Sequence, residues 1–135
     1  MCGRRLFDRT RGWGGSHPVG APVGVVTHHA PDDADAWKRT TFVDGVEVGI
    51  ARAVETAGEN NVSVMSSQIA AQALELGLVD EVVVSLVRLL RGEGVPYFTN
   101  LTAAPHWLDD PIVIPGTRAT HLRYGVRRGL SSSRA

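Results

Sequence analysis

The sequence predicts an α/β domain, and three observations carry the prediction. Helix-patterned and strand-patterned segments alternate through residues 23–90, which favours a mostly parallel sheet with helices on its faces. The run from Val82 to Leu90 is almost continuously apolar, as expected of a strand buried on both faces. The last third holds two segments of strand character, 107–114 and 119–127. They are joined by Pro115-Gly116-Thr117, a turn signal that makes them an antiparallel pair at one edge of the sheet.

The chain of 135 residues has the size of one ordinary domain, long enough to bury a core without a disulfide scaffold or structural metal. Its single cysteine, Cys2, cannot form an intramolecular disulfide. Fourteen basic residues balance fourteen acidic ones, so no nucleic-acid or membrane partner is expected from net charge. No apolar stretch has the length of a signal peptide or a membrane span, and a soluble cytoplasmic protein is expected.

The elements follow in order. Glycines and basic residues dominate positions 1–22, and Gly12-Trp13-Gly14-Gly15-Ser16-His17-Pro18 reads as loop. Val23 to Thr27 is a short β-branched run, expected to be a buried strand. Residues 28–41, with Pro31 and three aspartates, read as loop. Val46, Ile50, Ala53, Val54 and Ala57 then repeat at helical spacing. Asp44 and Glu47 suit a capping box for that helix, and Gly58 suits its stop. Val62-Ser63-Val64-Met65 predicts a strand. A helix from about Gln68 to Leu76 follows, with Ser67 as N-cap and Gly77-Leu78 as a Schellman-type end. The tail, 131–135, is expected to be frayed beyond a single domain over 1–130.

Ligands of open α/β sheets bind beyond the carboxyl ends of the strands. Two such places stand out. Ser66, Ser67 and Gln68 lie where a strand passes into a helix N-terminus, whose free N–H groups suit phosphate. A plain capping role for Ser67 is the competing reading. Thr27-His28-His29 follows the strand at 23–27 and could line a ribose or phosphate. One adjacent histidine pair, without a further ligand cluster, does not make a metal site, and none is expected. Gly3-Arg4-Arg5 offers guanidinium groups for phosphate, with a solvated basic terminus as the alternative. Asp80-Glu81 would point to opposite faces of a strand and does not form a carboxylate pair. No nucleophile elbow, Walker loop or GxGxxG fingerprint is present.

The ordered set Gly3-Arg4-Arg5-Leu6-Phe7-Asp8, Gly12-Trp13-Gly14-Gly15-Ser16-His17-Pro18, Val25-Val26-Thr27-His28 and Phe42-Val43-Asp44-Gly45 continues along the chain. It runs on through Leu76-Gly77-Leu78-Val79-Asp80-Glu81, Leu90-Arg91-Gly92-Glu93-Gly94 and Thr120-His121-Leu122-Arg123-Tyr124. Together these segments resemble the dihydrofolate-reductase-like domain of bacterial riboflavin-biosynthesis reductases, the RibD C-terminal type. The resemblance implies a mostly parallel sheet flanked by helices, NADPH as cofactor, a small-molecule substrate and a homodimer. It assigns Gly3, Arg4 and Arg5 to cofactor phosphates and Thr27 and His28 to the adenosine end. Ser66, Ser67 and Gln68 fall to the nicotinamide and pyrophosphate. It implies reduction of a ribosylamino-pyrimidine sugar to its ribitol form, with no general acid assigned in this chain.

Three departures accompany it. The family's opening strand with its Ser/Thr-x-Asp-Gly motif, and the helix after it, have no counterpart here, so the domain is expected to be incomplete at its N-terminus with an exposed sheet edge. Ser66-Ser67 stands where the family has Gly-Gly. Leu6 replaces a threonine. These departures leave a non-catalytic nucleotide-binding or structural relative as the alternative.

Overall fold

The computed structural model describes residues 1–103 and 105–127; the expected frayed tail lies outside them. Two three-stranded sheets form the architecture. The first is parallel, ordered β1 (Cys2–Gly3), β2 (Val23–Val26), β3 (Thr40–Val43). The second is antiparallel, ordered β4 (Glu81–Val87), β6 (Ala119–Gly125), β5 (Ile112–Pro115). Helices α1 (Arg4–Arg9), α2 (Val46–Ala57) and α3 (Ser67–Glu75) all precede the second sheet in the chain.

The parallel sheet is covered on both faces, because alternate side chains of its strands point opposite ways. On one face Met1 packs with Val46 and Ile50 of α2 and Ile69 and Ala73 of α3. Gly49 lets α2 approach closely: a Cβ there would lie 3.0 Å from Val43 and 3.3 Å from Val26. On the other face Cys2, Phe7, Val23 and Val25 are buried, with Trp13, Trp37 and Phe42 packed against them. The ring of Phe7 meets Trp37 at 5.0 Å and Phe42 at 5.3 Å, both edge-on. Gly12, at φ +56°, sits under this cluster; a Cβ would come within 2.3 Å of the Trp37 ring.

Several expectations are corrected. Positions 1–22 contain β1 and α1, and 28–41 ends in β3. Neither was legible, because β1 has two residues and β3 buries only Val43. The strand expected at 62–65 is reduced to one parallel bridge, Cys2↔Met65, with the Met65 N–H bonded to the Met1 carbonyl at 2.8 Å. The apolar run at 82–90 ends as strand at Val87. It pairs antiparallel with β6 and, far from being buried on both faces, buries only Val82. The expected antiparallel pair over 107–114 and 119–127 is present as β5 and β6, and β4 joins it in a sheet of its own.

Candidate functional site

Register places four chain segments at one end of the parallel sheet. Cys2 pairs with both Val25 and Met65, Gly3 with Val26, and Val26 with Val43. The residues immediately beyond are therefore Arg4, Thr27, Asp44 and the Ser66-Ser67 turn. This is the carboxyl edge, where the topology of open α/β sheets puts ligands. Of the expected cofactor residues, Gly3, Arg4, Thr27, His28, Ser66 and Ser67 converge here. Arg5 and Gln68 are exposed beside them.

The edge is joined by side-chain contacts. Arg4 Nη1 donates to the His29 carbonyl at 2.9 Å while its Nε donates to Asp8 at 2.8 Å. Thr27 Oγ1 donates to the same His29 carbonyl at 2.9 Å, turning the chain sharply after β2. His28 Nδ1 lies 2.7 Å from Asp44 Oδ1. Sequence reasoning missed this partner. Asp44 was expected to cap α2, but Gly45 occupies the N-cap position and no side chain caps the helix. The missed signal was β3 itself: once 40–43 is a strand, Asp44 follows its carboxyl end just as His28 follows that of β2.

At the third segment, the expectation that Ser67 caps the helix is also corrected. Ser66 is the N-cap residue, Ser67 is the first helical residue, and neither hydroxyl caps. The first bond of the helix runs from Ala70 N–H to the Ser66 carbonyl at 2.8 Å. The N–H groups of Ser67, Gln68 and Ile69 thus lack intrahelical acceptors and carry the positive end of the helix dipole. The turn touches β1: a Cβ on Gly3 would lie 3.3 Å from Ser66 Oγ. Glycine at position 3 therefore allows β1 and the serine turn to close on each other.

A segment after β4 is strapped along α3. Ser67 Oγ donates to the Pro96 carbonyl at one end of the helix. At the other end, Glu75 accepts from the Thr102 N–H, the Thr102 hydroxyl at 2.8 Å and the Ala103 N–H at 3.0 Å. These donors, the Thr102 amide foremost, hold the Glu75 carboxyl below its usual range. Tyr97 completes the strap by donating its hydroxyl to the Val83 carbonyl of β4. Ser67 thus has a hydrogen-bond partner within the chain.

A cavity of about 640 Å³ opens at the opposite, amino end of the sheet, lined by Met1, Val23, Thr41, Asn61 and Ser63 among others. It contains none of the expected cofactor residues. Among the described residues no group of three or more metal-ligating side chains converges, and no helix is long and apolar enough to cross a membrane.

The carboxyl edge thus gathers cationic and amide donors: Arg4, the exposed Arg5 beside it, and the uncapped amides at the start of α3. The carboxylates of Asp8 and Asp44 are turned onto Arg4 and His28.

No protein-family profile and no curated protein matches the chain. Solved structures do. A protein from Shewanella sp. PV-4, provisionally assigned to riboflavin biosynthesis, superposes with a TM-score of 0.70 at 22% identity, over 94% of this chain and 72% of its own. RibD of Acinetobacter baumannii superposes with a TM-score of 0.53 at 17% identity, over 78% of this chain and 31% of its own. At such identities the likeness lies in the backbone: the chain has the α/β fold of these riboflavin-biosynthesis proteins.

Proposed function

We propose that the chain is an NADPH-dependent reductase resembling 5-amino-6-(5-phosphoribosylamino)uracil reductase. The observation that carries this reading is the convergence of Gly3-Arg4, Thr27-His28 and Ser66-Ser67 at the carboxyl edge of the parallel sheet. Arg4 and Arg5 would hold phosphate through guanidinium donors. The free amides of Ser67 and Gln68 would take the pyrophosphate. Thr27 and His28 would border the adenosine end. The cofactor when bound supplies the hydride, and the protein's part is position and electrostatics. Hydride transfer tolerates little misplacement, so the closeness of β1 to the serine turn sets how near the nicotinamide could come.

A second reading has its own observation. Ser67 Oγ is bonded to Pro96, and the strap it anchors lies at the turn. A relative that binds nucleotide without turnover fits that arrangement.

Calorimetric titration with NADPH tests both readings. Binding in the micromolar range is expected, weakened about tenfold by Arg4→Ala, the loss of one charge-assisted phosphate contact. No heat at millimolar NADPH would sink the cofactor site itself. Binding without NADPH oxidation, whatever ribosylamine or carbonyl compound is offered, would favour the second reading. Gain of turnover in Ser66→Gly/Ser67→Gly would locate the defect in the turn.

A further inference from the structure

The cavity of about 640 Å³ at the amino end of the parallel sheet has the size and make-up of a small-molecule pocket, with apolar walls and a few polar groups. Its origin lies in the spacing of α2. Gly49, Ala53 and Ala57 stand four residues apart and share one face of that helix. All three line the cavity, and side chains this short leave space between the helix and strands β2 and β3. Val19, Val23, Val43, Val62 and Met65 complete the apolar wall. Two of them are uncovered, Val19 at 77% exposure and Met65 at 37%. An apolar body laid against them would take that surface out of water.

The polar lining carries one sign of charge. Arg52 is its one charged side chain, and among the described residues no carboxylate lines the cavity. Arg4, Arg123 and Arg127 each hold a carboxylate, whereas the Arg52 guanidinium has no ion-pair or hydrogen-bond partner among the described residues. His17 adds a second donor. Its ring stands edge-on to Trp13 at 4.9 Å, and its Nδ1 accepts the Val19 N–H at 3.4 Å, which leaves Nε2 as the donor of the neutral ring.

The carbonyls that would oppose an anion are already occupied. At the negative end of α2, the Val54 carbonyl takes the Gly58 N–H at 3.1 Å. The Ala57 carbonyl takes the Asn60 N–H at 3.0 Å and Asn60 Nδ2 at 3.1 Å. The Ser63 carbonyl takes the Met1 amino group at 2.5 Å.

We propose that this cavity binds a small monocarboxylate with an apolar body, its body against the valine wall and its head on Arg52. Charge and exposure together select that occupant. A cation would meet Arg52 and no carboxylate. A neutral apolar molecule would gain nothing from the guanidinium, which suits the two oxygens of a carboxylate. A ligand with several charges would have to shed their hydration against valines. None of the residues assigned to the cofactor lines this cavity, so the proposal stands or falls separately from the reductase reading.

Decanoate is the probe, titrated into the full chain and followed by two-dimensional amide NMR. A dissociation constant of about 100 µM is expected, as for about twelve heavy atoms of ordinary ligand efficiency. The shifted amides should include Gly24, Ala53, Ala57 and Val62. Octanoate, two methylenes shorter, should bind about tenfold more weakly. Decanol, which keeps the body and loses the charge, should bind about fivefold more weakly than decanoate. Arg52 is exposed, so Arg52→Gln keeps the fold. It should weaken decanoate about fivefold and leave decanol unchanged, a split that a merely structural role would not produce. Ala57→Leu, which fills the cavity, should weaken both about tenfold with an unchanged circular dichroism spectrum. Millimolar NADPH should leave decanoate binding as it was.

Absence of amide shifts at about 5 mM decanoate would overturn the proposal. So would shifts confined to Val83, Val87 and Ile112, which would mean adsorption to the exposed antiparallel sheet. Equal binding of decanol and decanoate would overturn the role of Arg52, and displacement by NADPH would move the site to the carboxyl edge.

Discussion

The two sheets use similar residues and meet opposite fates. Val23, Val25 and Val43 of the parallel sheet are buried between two layers, with Val25 fully shielded from solvent. Val83, Val87, Val113 and Ile114 of the antiparallel sheet are as apolar and as β-branched, yet all four are exposed. Strand-forming side chains therefore announce a sheet without announcing what covers it. Cover comes from the connections. Helices α2 and α3 follow β3 and the Met65 bridge and fold back over the parallel sheet, whereas a hairpin links β5 and β6 and brings no layer with it.

That contrast can be broken from either side. The largest effect is expected from Gly12→Ala, which puts a Cβ into the Trp37 ring at a positive φ and should cost about 3 kcal/mol or more by urea denaturation. Val25→Ala should cost about 2.5 kcal/mol, since two buried methyl groups and their packing are lost. The matched change in the other sheet, Val113→Ala, should stay within about 0.5 kcal/mol. Equal losses at 25 and 113 would show the face of the antiparallel sheet that carries Val113 to be covered in solution.

Smaller effects sharpen the picture. Burial pushes the Cys2 thiol above its ordinary value of 9.0. The unfolded chain releases this proton first, so the folded state binds more protons above about pH 9 and stability falls there as pH rises. Thiol reagents should label Cys2 at the rate of unfolding, and rapid labelling of the native protein would count against the packing at β1. Glu75 works in the opposite direction. Its carboxyl is held below the ordinary value of 4.5, so the strap contact is complete above that pH and is lost as pH falls through the lowered value. Glu75→Gln should mimic acidification, with faster hydrogen exchange at Thr102 and Ala103 and little change elsewhere.

Much of the fold was legible where a pattern had one physical cause. The run 23–27 reads as a buried strand and is one over Val23–Val26, and the helical spacing over 46–57 becomes α2, with Gly45 rather than Asp44 at its N-cap and Val54 exposed. The β5–β6 pair followed from a Pro-Gly turn. Failures came where partners decide. Thr40-Thr41-Phe42-Val43 looks polar at its start and becomes a strand only because β2 lies beside it. Val62 to Met65 alternates properly yet finds one neighbour, β1, and so makes a bridge. At the candidate site, residue identities were readable but pairings were not. The bonds of Ser67 to Pro96 and of Arg4 to His29 span 29 and 25 residues, and no local pattern encodes them.

Pro115 carries a consequence for the protein in bulk. A three-stranded sheet has two rims, and a rim able to recruit the rim of another molecule would turn single molecules into an endless ribbon. A single ring, by removing one hydrogen from the outer side of β5, leaves Val113 with that strand's one outward N–H and makes this rim a poor template for pairing.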